Sequence, residues 1–140
     1  MVDAVAEKIL RCVVVTPERA VLDEKVDSVV LPMYDGELGV LPGRAPLIGR
    51  LGYGELRLRR GDRIQRFFVD GGFVQVHANT VTVLTDRALK PEEINVEAAQ
   101  RDLNDAVLIA ETPEEQEHRL KAAERARAQL RVLQHRTEIQ

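Results

Sequence analysis

Up to Leu89 the apolar positions come in short runs separated by turn residues; from Pro91 they change to helical spacing. Leu10 to Thr16 is a nearly continuous apolar run closed by Pro17, and Ser28 to Leu31 is a second, stopped by Pro32. Gly54 to Arg59 alternates, which places Leu56 and Leu58 inward and Glu55, Arg57 and Arg59 outward on a half-buried strand. Gly61-Asp62 predicts a tight turn into Ile64 to Val69, and Ala78-Asn79 predicts one between Phe73–His77 and Val81–Thr85. Roughly eight to ten strands in so short a stretch leave no room for crossover helices, so the sheet is expected to be mostly antiparallel. The expectation for residues 1–89 is an antiparallel β-sandwich.

Beyond that point Val96, Ala99, Leu103, Ala106 and Ala110 step by three and four, the stripe of one helix face. Pro91 suits the first helical position, and Glu92 and Glu93 suit the positive end of a helix dipole. Thr112-Pro113-Glu114-Glu115 predicts a second helix, with Thr112 as cap and Glu115 closing a capping box. Its stripe is Ala123, Ala126, Leu130 and Leu133. A connection of two or three residues would make the pair an antiparallel hairpin over residues 90–140. Most stripe positions are alanine, which removes little apolar area from water compared with leucine. Such a hairpin is expected to be helical yet weakly held, a movable part.

Composition narrows the function. The chain has 140 residues, with 20 basic against 23 acidic side chains and a formal net charge of −3, which argues against a nucleic-acid partner. The single cysteine, Cys12, excludes a disulfide framework and sits in an apolar run as buried filling. No apolar stretch approaches the ~20 residues that cross a bilayer, and Met1 to Lys8 lacks a signal-peptide core. A soluble intracellular protein without direct membrane insertion is expected.

The candidate chemistry is sparse. His77, His118 and His135 are scattered, and the latter two lie too far apart on one helix to share a metal. Neither a catalytic constellation nor a cofactor or metal site is expected. Gly36 to Leu47, the most distinctive segment, is not a phosphate loop: Arg44 is followed by Ala45-Pro46 where such a loop needs Lys and Ser/Thr. Tight turns joining strands are the plainer reading, with Glu37 and Arg44 as exposed charges suited to a polar protein contact. The basic residues of the second helix are offset by Glu114, Glu115, Glu117 and Glu124, and Glu117–Lys121 is a favourable pair one turn apart. From the residues alone the chain is an interaction module, a sandwich carrying a movable helical hairpin.

The order of these pieces resembles the epsilon subunit of the F-type ATP synthase. The resemblance spans nearly the whole chain. It rests on Val15-Thr16-Pro17-Glu18-Arg19, Gly36 to Leu47, Asp70-Gly71-Gly72-Phe73-Val74-Gln75-Val76, Asn79 to Leu84, and Ala128-Gln129-Leu130-Arg131-Val132. It implies a non-catalytic rotor subunit whose sandwich packs on the gamma subunit and on the polar loops of the c-ring. It also implies a regulatory hairpin that either folds down on the sandwich or extends toward the alpha/beta catalytic head and obstructs hydrolysis. The residues carried over are Glu37 and Arg44 for the c-ring, and Leu103, Arg125, Leu130 and Arg131 for the hairpin. Some members bind ATP through an Ile/Leu-Asp-x-x-Arg-Ala motif; here Asn95 replaces the Asp and Ala98 the Arg, so ATP binding is not expected. The implied place is the cytoplasmic face of a bacterial inner membrane, or the stromal face of a thylakoid. The competing reading is a stand-alone β-sandwich binding module with a helical dimerisation hairpin.

Overall fold

Eight strands precede two α-helices, and the break falls where the spacing changes. The strands are β1 (Leu10–Val15), β2 (Ala20–Val26), β3 (Ser28–Met33), β4 (Gly36–Val40), β5 (Leu47–Arg60), β6 (Arg63–His77), β7 (Thr80–Leu84) and β8 (Ala88–Leu89). A 3-10 turn, Pro91–Glu93, leads to α1 (Val96–Asp105) and α2 (Pro113–Arg136). The computed structural model describes residues 9–136; Met1 to Lys8 and 137–140 lie outside the described residues.

The sheet runs β2-β1-β7-β6-β5-β3-β4, with β8 paired to β6. Every pair is antiparallel except β1 with β7, which is parallel. The strands enclose one core in which Leu10, Val14, Val29, Leu31, Leu56, Val69, Val76 and Val83 are fully buried or nearly so. Cys12 lies within it, and burial, helped by the charges of Glu24 and Asp23, pushes its thiol up to about 12.

Several expectations are corrected. Two runs read as separate strands, Ile64 to Val69 and Phe73 to His77, fuse into β6, and the run Gly54 to Arg59 extends back to Leu47 as β5; the two long strands pair without a register break along their length. Inward-facing positions are Phe67 and Val69 before Gly71-Gly72 but Val74 and Val76 after it. The two glycines, at φ +67° and +107°, reset the alternation there. β3 runs through Pro32 to Met33: the proline lies where the register against β5 shifts, so its missing N–H costs no ladder bond. Part of the Gly36 segment, read as turns, forms β4, and Glu37 pairs with Pro32 inside that ladder. The turns at Gly61-Asp62 and Ala78-Asn79 form as expected, the latter with φ of +49° and +60°.

The first helix is shorter than its stripe. Pro91 opens the 3-10 turn rather than the helix, and α1 begins after Asn95, whose Oδ1 accepts the Ala98 N–H at 2.9 Å. The helix ends at Asp105, so Ala106 caps it and Ala110 lies in the connection, which is longer than two or three residues. Thr112 caps α2 as expected, accepting the Glu115 N–H at 3.1 Å; the Glu115 carboxylate bonds the Glu111 N–H instead of closing the box on Thr112.

α2 lies across the outer face of β5 and β6. Phe68, fully buried, meets Ile94, Ala128 and Val132 there, flanked by Tyr53, Leu89 and Leu133. Ala99, Ala123 and Ala126 are also buried, whereas Leu130 is only half-buried. A buried aromatic of this kind contributes about 1.5–3 kcal/mol, more than the alanines can. The hairpin's apolar grip on the sandwich is therefore concentrated at Phe68.

Candidate functional site

Alternation along β5 points Glu55 away from the core, but not into water. Glu55 is 4% exposed, a correction to the expected outward residue, because α2 covers that face. Its carboxylate accepts from Arg57 at 2.9 Å and Arg66 at 3.3 Å, and His135 Nδ1 lies 2.9 Å from both oxygens. Arg57 also donates to Glu37 at 2.9 and 3.2 Å. The Glu37 bond, opposed by burial and helped by Glu55, raises the Arg57 pKa. A continuous line of charge runs from Glu37 on β4 to the end of α2.

A second polar hub sits at Asp70, next to the two glycines. Its carboxylate accepts from Arg125 Nε at 2.9 Å and Arg87 Nε at 3.2 Å, while its own N–H donates to Thr85 Oγ1 at 3.1 Å. Arg125 lies 4.6 Å over the Tyr53 ring and donates to its hydroxyl at 3.3 Å. Burial opposes the Arg125 charge, yet the Asp70 bond and neighbouring acidic groups leave its pKa raised. Arg125 thus joins the hairpin to the sheet. Of the other hairpin candidates, Leu103 and Leu130 are half-buried and Arg131 is exposed.

The free face of the sandwich exposes large apolar side chains among polar ones. Ile48, Phe73 and Leu84 are 78%, 58% and 51% exposed, although such side chains are normally buried. Phe73 pairs directly with Leu84 across β6–β7, and Ile48 on β5 lies diagonal to it. Arg50, opposite Phe73, lies 4.4 Å over the Tyr34 ring, which is 69% exposed. Contiguous exposed apolar side chains of this kind mark a protein contact surface. Arg44 is exposed in the β4–β5 turn, where the Gly43 N–H is held by Asn79 Oδ1 at 2.7 Å.

His77 and His118 are exposed, whereas His135 is half-buried against Glu55. Among the described residues no group of three or more His, Cys, Asp or Glu could hold a metal ion. Among them, too, no helix is long and apolar enough to cross a membrane.

Sequence reasoning missed Glu55, Asp70, Tyr53 and His135 as one interface. A signal was present at Asp70: one carboxylate ending the apolar run Phe67-Phe68-Val69 needs a partner if that strand is buried on both faces.

Comparisons with known proteins agree with this architecture. Residues 9–91 match the family described as the ATP synthase delta/epsilon chain, β-sandwich domain. An ATP synthase epsilon chain from Rhodopirellula baltica is 52% identical over 124 residues, 88% of this chain and 97% of that protein. One from Synechococcus sp. is 39% identical over 82% of this chain and 86% of its own length. Among solved structures, a chain of the Euglena gracilis mitochondrial ATP synthase OSCP/F1/c-ring assembly superposes with a TM-score of 0.82 at 22% identity, covering 90% of this chain and 82% of that one. A chain of the Tetrahymena thermophila mitochondrial central stalk and c-ring gives 0.66 at 17% identity, covering 89% and 96%. These structural likenesses concern the fold.

Proposed function

This chain belongs to the ATP synthase epsilon chain family, and we propose that it works as a non-catalytic central-stalk subunit, coupling c-ring rotation to the catalytic head. The observation that carries the reading is the 52% identity spanning nearly all of the R. baltica epsilon chain. The proposed partners divide between two surfaces. The apolar face of Ile48, Phe73 and Leu84 would pack on gamma, because a permanent rotor contact favours apolar area. Glu37 and the Arg44 turn would meet the polar loops of the c-ring. The complex would hold the subunit peripherally at the cytoplasmic face of a bacterial inner membrane. Residues 90–140 act as a regulatory unit, docked here through its described part up to Arg136, that undocks to lie along gamma and reach the alpha/beta head, where it obstructs hydrolysis.

Binding to gamma tests the partner surface. Phe73→Asp should abolish recovery of a near-equimolar complex by gel filtration, with little change in the melting temperature of the free subunit, since Phe73 is already exposed. Glu37→Lys should leave gamma binding intact and weaken c-ring assembly or proton pumping; an exposed pair contributes only about 0–1 kcal/mol to stability. Undiminished gamma binding by the Phe73 variant would overturn the assignment of that face.

Nucleotide is the second expectation. A micromolar ATP complex needs about −8 kcal/mol, much of it normally from charge-assisted bonds to phosphate. Asn95 spends its side-chain oxygen capping α1, and Ala98 offers no cation. The isolated chain should bind ATP no better than millimolar in titration calorimetry; a micromolar constant would contradict this.

A further inference from the structure

We propose that the end of the sandwich formed by the β5–β6 turn is a docking surface for anionic phospholipid headgroups; this rests on the reading above, that the Arg44 turn faces a membrane-bound ring. The segment Leu56 to Phe67 holds five arginines, and the pairing of β5 with β6 sets four of them against each other. Arg57 lies opposite Arg66, and Arg60 opposite Arg63. Like charges directly opposed across a ladder are destabilising. The first pair is neutralised from within, by Glu55 and Glu37. The second is not. Arg59, Arg60 and Arg63 are exposed and make no ion pair among the described residues. Arg59 donates to the Gly61 carbonyl at 3.2 Å, and Arg60 to the Lys25 carbonyl at 3.3 Å. The carboxylates nearby are Asp62 in the turn and Asp27, which accepts the Gly61 N–H at 2.7 Å. Against those two stand Lys25, Arg59, Arg60 and Arg63.

The Arg44 turn shares this end. Arg11 pairs with Lys25 across β1–β2, and its N–H donates to the Asn79 carbonyl at 2.8 Å. Asn79 Oδ1 in turn holds the Gly43 N–H. Contacts therefore lead from the β5–β6 turn, through Lys25 and Asn79, to Arg44. Leu41 adds an apolar element: Val40 and Leu58 both pair with Val29, so Leu41, one residue on, lies level with Arg59, and it is 65% exposed.

A net charge of only −3 thus conceals a polarised molecule. α2 carries Glu114, Glu115 and Glu117 in its first turns and Arg131, His135 and Arg136 in its last. Its acidic half lies beside Asp86 and Tyr34, at the opposite end of β3 from Arg59. Its basic half reaches Glu55, nearer the Gly61 turn. Phospholipid is the occupant these features fit. Guanidinium forks match phosphate oxygens, and cations beside an exposed leucine suit a lipid–water interface. An anionic leaflet attracts this end and repels the acidic one, which turns Arg44 toward the ring.

Flotation of the full chain with vesicles of equal parts phosphatidylglycerol and phosphatidylcholine, at low ionic strength, tests the surface. The chain should bind these vesicles, leave pure phosphatidylcholine vesicles unbound, and detach as salt rises. Arg60→Gln with Arg63→Gln should weaken binding about 30-fold, each cation near such a surface contributing about fivefold. Removing an opposed pair relieves repulsion, so this variant should melt no lower than the parent. Lys25→Gln with Arg59→Gln is the second variant and should weaken binding as much. Arg101→Gln with Lys121→Gln removes equal charge from the hairpin and should leave binding nearly unchanged. No binding to the anionic vesicles, equal binding to both kinds, or equal weakening by the hairpin pair overturns the docking surface. Gel filtration with gamma separates this outcome from the reading beneath it. A parent chain that binds gamma but not the anionic vesicles overturns the lipid surface alone, whereas one that binds no gamma overturns the central-stalk reading as well.

Discussion

Replacing Gly72 with alanine should cost about 3–5 kcal/mol, the sum of a strained left-handed backbone and an overpacked contact. A Cβ at that position would lie 1.9 Å from the Leu84 carbonyl oxygen and 2.9 Å from Thr85 Cα. Both are backbone atoms, so no side chain can swing aside to make room. The residue also sits at φ +107°, outside the range that L side chains adopt readily. A loss of that size is a large part of the roughly 5–15 kcal/mol that holds a domain together, and should lower the melting temperature by about 10 °C or more. Gly39→Ala is the internal control: nothing lies within 4 Å of its added methyl, and its melting temperature should scarcely move. A Gly72 variant melting within a degree or two of the parent would show that β7 can move away from β6 at little cost.

Gly72 also shows how far the sequence reading reaches. The turn signals were legible because a tight turn is local: Gly61-Asp62 and Ala78-Asn79 reverse the chain where expected, and Thr112 caps its helix. The position at which β6 changes its inward face was not legible. It depends on how closely β7 approaches, a contact made across the sheet. β2 escaped notice because Ala20–Val26 buries only Val26 fully and has no clean alternation. α1 stops at Asp105 although the apolar spacing continues through Ala106 and Ala110. Periodicity marks a face, while the helix end is set by where the chain must turn back.

The interface between hairpin and sandwich was the least readable part. Alternation identified Glu55 as pointing away from the core, which is correct, but the step from there to solvent fails once α2 arrives from eighty residues later. Phe68 has the same history. It lies between two core residues, Phe67 and Val69, and its outward direction makes sense only with Ile94 and Val132 above it. The alanine stripe conveyed a seam of low apolar area, whereas the polar contacts on the same helix require the tertiary structure to be seen.

Removing the Arg125 guanidinium should release the hairpin while leaving the sandwich folded. Arg125→Ala loses a charge-assisted bond to Asp70 and the stack on Tyr53, together about 1–3 kcal/mol after allowance for the arginine's partial exposure. Asp70 retains Arg87, so the sheet keeps its own brace. The loss therefore falls on the docking equilibrium and should lower the docked population relative to the undocked by roughly 5- to 150-fold. Amide exchange would report it as faster labelling of α2 with unchanged protection in β5 and β6. Asp70→Ala should be worse, since it removes the anchor for Arg125 and Arg87 together, and the double variant should cost less than the sum of the two. Lysine at position 125 should not restore docking, because a point charge cannot stack on the Tyr53 ring as the planar guanidinium does while also bonding Asp70. Unchanged protection of α2 in Arg125→Ala would place the hairpin's hold in the Phe68 cluster and the His135–Glu55 contact.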